Sequence, residues 1–293
     1  MKKLFLFALI LSAIVSSCDN KECAKQATAP DNLKVMSFNV RYDNPADSSN
    51  NWQYRRDRVA NAIRFYGADI VGTQEVLHNQ LEDLRSRLSD YSMVGVGRED
   101  GKQQGEYAAL WYKKERFELV DSGNFWLSQT PEVAGSMGWD GACVRIASWA
   151  RLRDRKSGRE LIALNTHLDH VGVVARSEGV RLILNRVDSL RGDLPAVVTG
   201  DFNSSPNSDV VAHVTGAETP HHLIDARTVA EVVYGPDWTF QDFGRIATND
   251  RERIDYVFTA GPLKALTYGV LTETDNDRWL SDHCPVLVTF GWE

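Results

Sequence analysis

Asn, Asp, Glu and His recur in this sequence in short polar clusters, each at the edge of an apolar run. The clusters are Ser37-Phe38-Asn39-Val40-Arg41, Thr73-Gln74-Glu75, Asn165-Thr166-His167-Leu168-Asp169-His170, Gly200-Asp201-Phe202-Asn203, Arg253-Ile254-Asp255 and Ser281-Asp282-His283. One such cluster alone is more often a turn or a helix cap than a reaction centre. So many of them, each joining an amide, acid or imidazole to a strand edge, are not explained by capping. Together they supply what hydrolysis of a phosphoester needs. Asn39, Glu75 and Asp282 are hard oxygen ligands suited to Mg²⁺. Such an ion would neutralise the phosphate and the charge that grows on it. His283 serves as a general base or an electrostatic partner, and Asp255 can fix its tautomer. Asp201 and Asn203 can position the attacking water and a phosphoryl oxygen. His167 adds a second imidazole for a phosphate oxygen or the leaving group.

Other chemistries fit less well. No Gly-x-Ser-x-Gly elbow is present. There is no Walker loop, and Val94-Gly95-Val96-Gly97 lacks the third glycine of a dinucleotide fingerprint. His221-His222 resembles a metal pair, but it lies in a Pro-containing loop without neighbouring ligands and is expected at the surface.

The elements that hold the clusters follow from periodicity. Residues 33–40 alternate apolar and polar, which predicts a strand; 68–73 and 196–201 are short buried strands. Helices are expected over 55–65, with Val59, Ala62, Ile63 and Phe65 inward, over 77–88, over 174–190, and briefly over 208–214. Segments 91–96, 108–113, 117–124, 147–153 and 161–167 read as successive strands, with a hairpin signal at Ser157-Gly158. Strands over 253–259, 266–271 and 286–290 close the chain. About a dozen strands and four helices, with most strands following one another directly, predict an α/β fold of two sheets packed face to face with helices outside.

The first residues are expected to stand outside that fold. Lys2 and Lys3 precede an apolar run, Leu4–Val15, too short to span a bilayer comfortably. Val15-Ser16-Ser17-Cys18 resembles a bacterial lipobox. Residues 1–17 therefore read as a lipoprotein signal, Cys18 as the lipidated mature terminus, residues 18–31 as a polar tether, and residues 32–293 as one domain. Localisation at a bacterial cell envelope follows, with the membrane touched only through the lipid. Cys143 and Cys284 are expected to be small buried residues, since the cysteine spacing fits no zinc motif.

Composition narrows the partners. The chain has 293 residues, 43% of them hydrophobic, and a net charge of −7; loss of Lys2 and Lys3 with the leader makes it −9. The basic footprint of a nonspecific nucleic-acid binder is absent. Basic residues do cluster at Arg55, Arg56 and Arg58, and at Arg151, Arg153, Arg155 and Lys156.

In their order and spacing, the six clusters resemble the endonuclease/exonuclease/phosphatase family, the DNase I-like fold, over essentially residues 33–292. The resemblance implies a four-layer α/β/β/α sandwich that cleaves phosphoesters with Mg²⁺ or Mn²⁺. By position, Asn39 and Glu75 match the first metal-site residues. His167 matches a phosphate-contacting histidine, Asp201 and Asn203 the Gly-Asp-x-Asn pair, Asp255 the acid that orients the last histidine, and Asp282 and His283 the terminal Asp-His. Tyr107, after Gly105-Glu106, matches a phosphate-contacting tyrosine. Arg41, Asp169 and His170 extend the core pattern and are expected on the substrate side. Trp52, Arg55, Arg56, Trp238, Phe240 and Phe243 either pack or form a substrate wall. The expected substrate is a small or lipid-linked phosphoester, with nucleic acid as the alternative, and the enzyme is expected to act as a monomer. A non-catalytic binding module on the same fold is the remaining alternative.

Overall fold

In β1 (Leu33–Asn39), Val35 and Ser37 point to one side, Met36 and Phe38 to the other, and all are buried. A strand buried on both faces belongs in the middle of a layered fold. The computed structural model, which describes residues 31–274 and 277–293, places it there. The leader, Cys18, Cys23 and the tether up to residue 30 lie outside the described residues.

After β1 come α1 (Arg56–Tyr66), β2 (Ile70–Val76), α2 (His78–Arg87), β3 (Tyr91–Val94), β4 (Tyr107–Lys113), β5 (Phe117–Trp126), β6 (Ile146–Asp154) and β7 (Glu160–His167). They are followed by α3 (Val173–Arg191), β8 (Ala196–Asp201), α4 (Asp209–Thr215), β9 (Ile224–Asp225), α5 (Ala226–Val229), β10 (Val232–Tyr234), β11 (Asp255–Ala260), β12 (Leu263–Val270) and β13 (Val286–Trp292). One sheet has the order β10-β12-β13-β1-β2-β4-β3; the other has β5-β6-β7-β8-β11-β9.

Three apolar cores separate the layers. Leu33, Val35, Ile70, Leu110, Ala163, Val197 and Val257 fill the space between the sheets. Val180, Ile183, Leu184 and Val187 of α3, with Val210 and Val211 of α4, cover the outer face of the second sheet. Val59 and Ile63 of α1, with Leu81 and Leu84 of α2, cover the first against Phe38 and Trp111. The result is the four-layer α/β/β/α sandwich.

Two expectations are corrected. Phe65 is 84% exposed, because it lies six residues past Val59, well off the face that Val59 and Ile63 share; Ala60 takes the buried place. The segment 224–234 adds β9, α5 and β10, whose brevity leaves no periodic signal. Elsewhere the strands end within a few residues of the expected bounds. Gly67 in the left-handed region (φ 64°) stops α1.

The sheets are also tied by a polar bridge. Gln74 Nε2 donates to Asn165 Oδ1 (2.6 Å), Thr199 Oγ1 donates to the same oxygen (3.0 Å), and Asn165 Nδ2 donates to the Thr73 and Ala109 carbonyls (2.9 and 3.0 Å). Gly72 lets this bridge pass: a Cβ there would stand 2.0 Å from Thr199 Oγ1 and 2.4 Å from Asn165 Oδ1. Asn165, singled out with His167 by sequence, is thus an inter-sheet strut.

Candidate active site

Strand register gathers the second sheet's contribution. His167 ends β7, Asp201 ends β8 and Asp255 begins β11; His167 pairs with Asp201, and Asp201 pairs with Asp255. Residues paired across neighbouring strands point to the same face, so all three present their side chains together. From the first sheet, β1 ends at Asn39. The β2–β4 register shifts between Thr73 and Val76, and Glu75 has a positive φ of 61°. That bulge re-aims Glu75 toward Asn39, whose Nδ2 donates to Glu75 Oε1 (2.9 Å) and to Asp201 Oδ2 (3.0 Å). One amide thereby joins the edges of both sheets.

Asp201 Oδ2 lies between two imidazoles, 3.5 Å from His167 Nε2 and 3.7 Å from His283 Nε2. Asp201 Oδ1 accepts from the backbone N–H of Asn203 (2.9 Å). Asn203 Nδ2 lies 3.0 Å from His167 Nε2 and donates to the Leu168 carbonyl (3.0 Å). His283 Nδ1 meets Asp255 Oδ2 at 2.8 Å, and the Phe240 ring packs on the imidazole with centroids 4.9 Å apart. Burial opposes charge on His283, but Asp255 outweighs it and holds the imidazole well above its ordinary pKa. Burial, then Arg145 and Arg98, push His167 well below. Burial and the neighbouring Asp255 push the Asp201 carboxyl up to about 7.

Glu75, Asp282 and Arg41 form the other half. Arg41 Nη1 lies 3.9 Å from Glu75 Oε2 and 3.6 Å from Asp282 Oδ2, and Asp47 grips the guanidinium through two bonds of 3.0 and 3.2 Å. Arg41 therefore turns into the acid cluster, where sequence reasoning had expected it toward substrate. Arg55 holds this loop in place. It is fully buried and donates to the carbonyls of Asn50 (2.6 Å), Val40 (2.7 Å) and Leu280 (2.9 Å), which ties the end of β1 to the approach to Asp282.

This donor set fits a hard divalent cation. Burial, then repulsion from Glu75, raises the Asp282 carboxyl, and a single guanidinium serves both acids. Ligand atoms of Glu75, Asp201 and His283 lie within 4.8 Å of one another, but a charged His283 has no lone pair for an ion, which leaves the carboxylates as ligands. Asn39 Oδ1 accepts from the Arg41 N–H (2.9 Å) while Nδ2 faces Glu75 and Asp201, so an ion beside Glu75 meets Oδ1 only if the amide turns.

Several expected substrate contacts are engaged by protein groups, although Tyr107 still lines a small pocket with Glu75, Glu106 and His167. The Tyr107 hydroxyl donates to the Lys102 carbonyl (2.9 Å) and meets His78 (3.2 Å). Its neighbour Glu106, which sequence reasoning passed over, faces the site: Glu106 Oε2 is 4.0 Å from His167 Nδ1 and 2.6 Å from Arg98. Asp169 accepts from the backbone N–H groups of Ala142, Cys143, Val171 and Gly172, which organise the loops beneath, and its carboxyl is depressed despite burial. His170 is exposed and meets Arg145 (3.1 Å). Trp52 and Arg56 both bind Asp83, at 3.0 and 3.3 Å, and form no substrate wall. His221 is at the surface beside Asp188, Cys284 is buried, and Cys143 is only partly so.

Known proteins share this fold. The model of the Endonuclease/Exonuclease/phosphatase family matches residues 36–283. A Bacteroides vulgatus endonuclease/exonuclease/phosphatase superposes with a TM-score of 0.86 at 46% identity, covering 89% of this chain and 99% of that one. A Bacteroides thetaiotaomicron mannosyl-6-phosphatase gives 0.81 at 35% identity, covering 89% and 100%. Nocturnin of Drosophila melanogaster is 26% identical over 178 residues, 57% of this chain and 26% of its own. The chain spans about half or less of the length of the first curated relatives it matches. The family match across the whole site, with the sandwich that carries it, makes this chain a member of the Endonuclease/Exonuclease/phosphatase family, a family of phosphoester hydrolases.

Proposed function

We propose that the protein is a divalent-metal-dependent phosphatase or phosphodiesterase acting on a small phosphoester. The observation that carries this reading is the Asp201 carboxylate, flanked by two imidazoles in opposite electrostatic states. With its pKa near 7, Asp201 is suited to take the proton of an attacking water at neutral pH. The cationic His283, held by Asp255, stabilises charge on the phosphoryl oxygens. Asn203 and the neutral His167, 3.0 Å apart beside Asp201, would serve the phosphoryl and leaving oxygens. Asn39, Glu75 and Asp282 would hold the metal. When bound, the ion supplies charge neutralisation on the phosphate.

A small substrate is favoured over nucleic acid by charge. The net charge is −7, and Arg151 and Arg153 are both tied to Glu160, at 2.6 and 2.7 Å, so they form no free basic track. The mannosyl-6-phosphatase relative points the same way and makes sugar phosphates the first class to test. A phosphoester panel with Mg²⁺ or Mn²⁺ decides: turnover should vanish in EDTA and return with either ion. Full turnover in chelator, or rescue by zinc alone, would refute the metal assignment. Lipid attachment at Cys18 would hold the enzyme at the envelope. Labelled palmitate should enter the wild type and not Cys18→Ala.

A further inference from the structure

A small pocket of about 10 Å³ is lined by Glu75 and His167 of the catalytic cluster together with Arg98, Glu106 and Arg145. That volume takes one water-sized atom. Ala108 and Ile146, both buried, belong to its wall. The pocket lies where the two sheets meet. Arg98 and Glu106 precede β4 of the first sheet; Arg145 directly precedes β6 of the second, and His167 ends β7. Buried donors without partners line it. Arg145 is only 6% exposed, and its Nε and Nη1 make no hydrogen bond among the described residues; nor do Arg98 Nε and His167 Nδ1. The Leu168 carbonyl fixes the Asn203 amide so that Nδ2 faces His167 Nε2 (3.0 Å). Nε2 is then the acceptor, and the proton of the neutral ring sits on Nδ1.

Structural duties do not account for the Arg145 guanidinium. Asp169 stands 3.6 Å from its Nε, beyond a hydrogen bond, and already accepts four backbone N–H groups. Glu106 is taken by Arg98 (2.6 Å), and Glu75 by Asn39 (2.9 Å) and the Tyr42 N–H (3.1 Å). Only Nη2 is engaged, by His170 Nδ1 (3.1 Å). A buried charged donor left unmet is costly and rarely kept, and the partner that suits a guanidinium best is an anionic oxygen. The size of the pocket says which one. In an in-line displacement three oxygens surround the phosphorus besides the entering and leaving ones. In a monoester all three are bare; in a diester one carries a second substituent. A closed pocket for one atom admits a bare oxygen and excludes a substituted one.

We propose that Arg145, with Arg98 and His167, binds a terminal oxygen of the phosphoryl group and so selects phosphomonoesters over phosphodiesters. The proposal rests on the phosphoester reading and deepens it by naming the substrate class. The test compares wild type, Arg145→Gln and Arg145→Lys on p-nitrophenyl phosphate and bis(p-nitrophenyl) phosphate with Mg²⁺, two esters that share a leaving group. Wild type should favour the monoester. The monoester-to-diester ratio of kcat/KM should fall about tenfold in Arg145→Gln, the effect of a lost charged hydrogen bond. It should also fall in Arg145→Lys, which loses the planar fork but keeps a charge beside Asp169, so the test stands if Arg145→Gln unfolds. Equal losses on both esters would reduce Arg145 to a structural role and overturn the proposal, as would a wild type that prefers the diester. Titration calorimetry with orthophosphate and dimethyl phosphate separates the two readings. Orthophosphate binding that weakens in Arg145→Gln, with dimethyl phosphate unaffected, supports the pocket even if neither ester is hydrolysed. Equal weakening of both anions, or none, overturns it; turnover with an unchanged ratio removes the pocket and leaves the hydrolase.

Discussion

His283 and His167 both approach the same Asp201 oxygen, at 3.7 and 3.5 Å, yet the acids that hold them differ. His283 has an acid at 2.8 Å, and Asp255 comes from the first residue of β11, fixed by its register with β8. His167 has its acid at 4.0 Å, and Glu106 comes from just before β4, already paired with Arg98. The His167 Nδ1 is buried without a hydrogen-bond partner. One imidazole is therefore held charged and the other neutral. An arrangement of this kind separates the roles of phosphate stabiliser and leaving-group partner within one cluster.

The strongest way to break that contrast is at the closed pair. His283→Ala should lower kcat/KM by ~10³-fold, within the range for loss of a positioned acid–base group. Asp255→Asn should approach that loss, and the double variant should be little worse than His283→Ala, because residues that act as a unit are not additive. Multiplicative losses in the double variant would separate Asp255 from His283. The open pair should give less. His167→Ala is expected to cost ~10²-fold, and Glu106→Gln clearly less than Asp255→Asn, since no bond to the imidazole exists to be lost. A reversed order for the two acids would mean that Glu106 closes on His167 during turnover.

The two histidines should also tilt stability with pH in opposite directions. A folded-state pKa raised above the unfolded value of 6.5 makes the His283 contribution complete below pH 6.5 and lost as pH rises through the folded value. A depressed pKa makes the His167 contribution complete above pH 6.5 and lost as pH falls through its folded value. Urea midpoints measured across pH should thus lose part of their alkaline slope in His283→Ala and part of their acid slope in His167→Ala. Unchanged slopes in both variants would contradict the assigned charge states.

The same contrast shows what the sequence could reveal. Asp201, Asp255 and His283 were legible because each ends or flanks an apolar run whose strand register is forced by burial on both faces. Tyr107 and Glu106 were confused because side chains alternate: a one-residue difference in parity exchanges the face that meets the site for the one that meets His78 and the Lys102 carbonyl. Asn165 and His167 share a parity and differ only in depth, so one braces the sheets and the other reaches the edge. Glu75 needed a bulge, which no periodicity announces. Asp169 looked reactive because a carboxylate receiving several backbone N–H groups has the same sequence signature as one awaiting a ligand.

The smallest expected effect lies far from both histidines, on the alternating arginines of β6. Arg151, Arg153, Arg155 and Lys156 look like a track for a polyanion when counted along the chain. In the fold, Glu160 of the neighbouring strand takes Arg151 Nε at 2.6 Å and Arg153 at 2.7 Å, and Arg153 also meets Glu118 at 3.3 Å. Arg155 Nε donates to the Lys114 and Phe117 carbonyls. Exposed pairs of this kind contribute little and leave little field to attract a substrate. Arg151→Gln and Arg153→Gln should therefore change kcat/KM less than about twofold. With a small phosphoester, raising salt should have an equally shallow effect, because few counterions are displaced. Duplex DNA should compete poorly in the same assay. A steep fall with salt, steeper still on longer oligonucleotides and blunted by either arginine variant, would show that Glu160 releases these side chains to a nucleic-acid backbone, and the substrate assignment would pass to a nuclease.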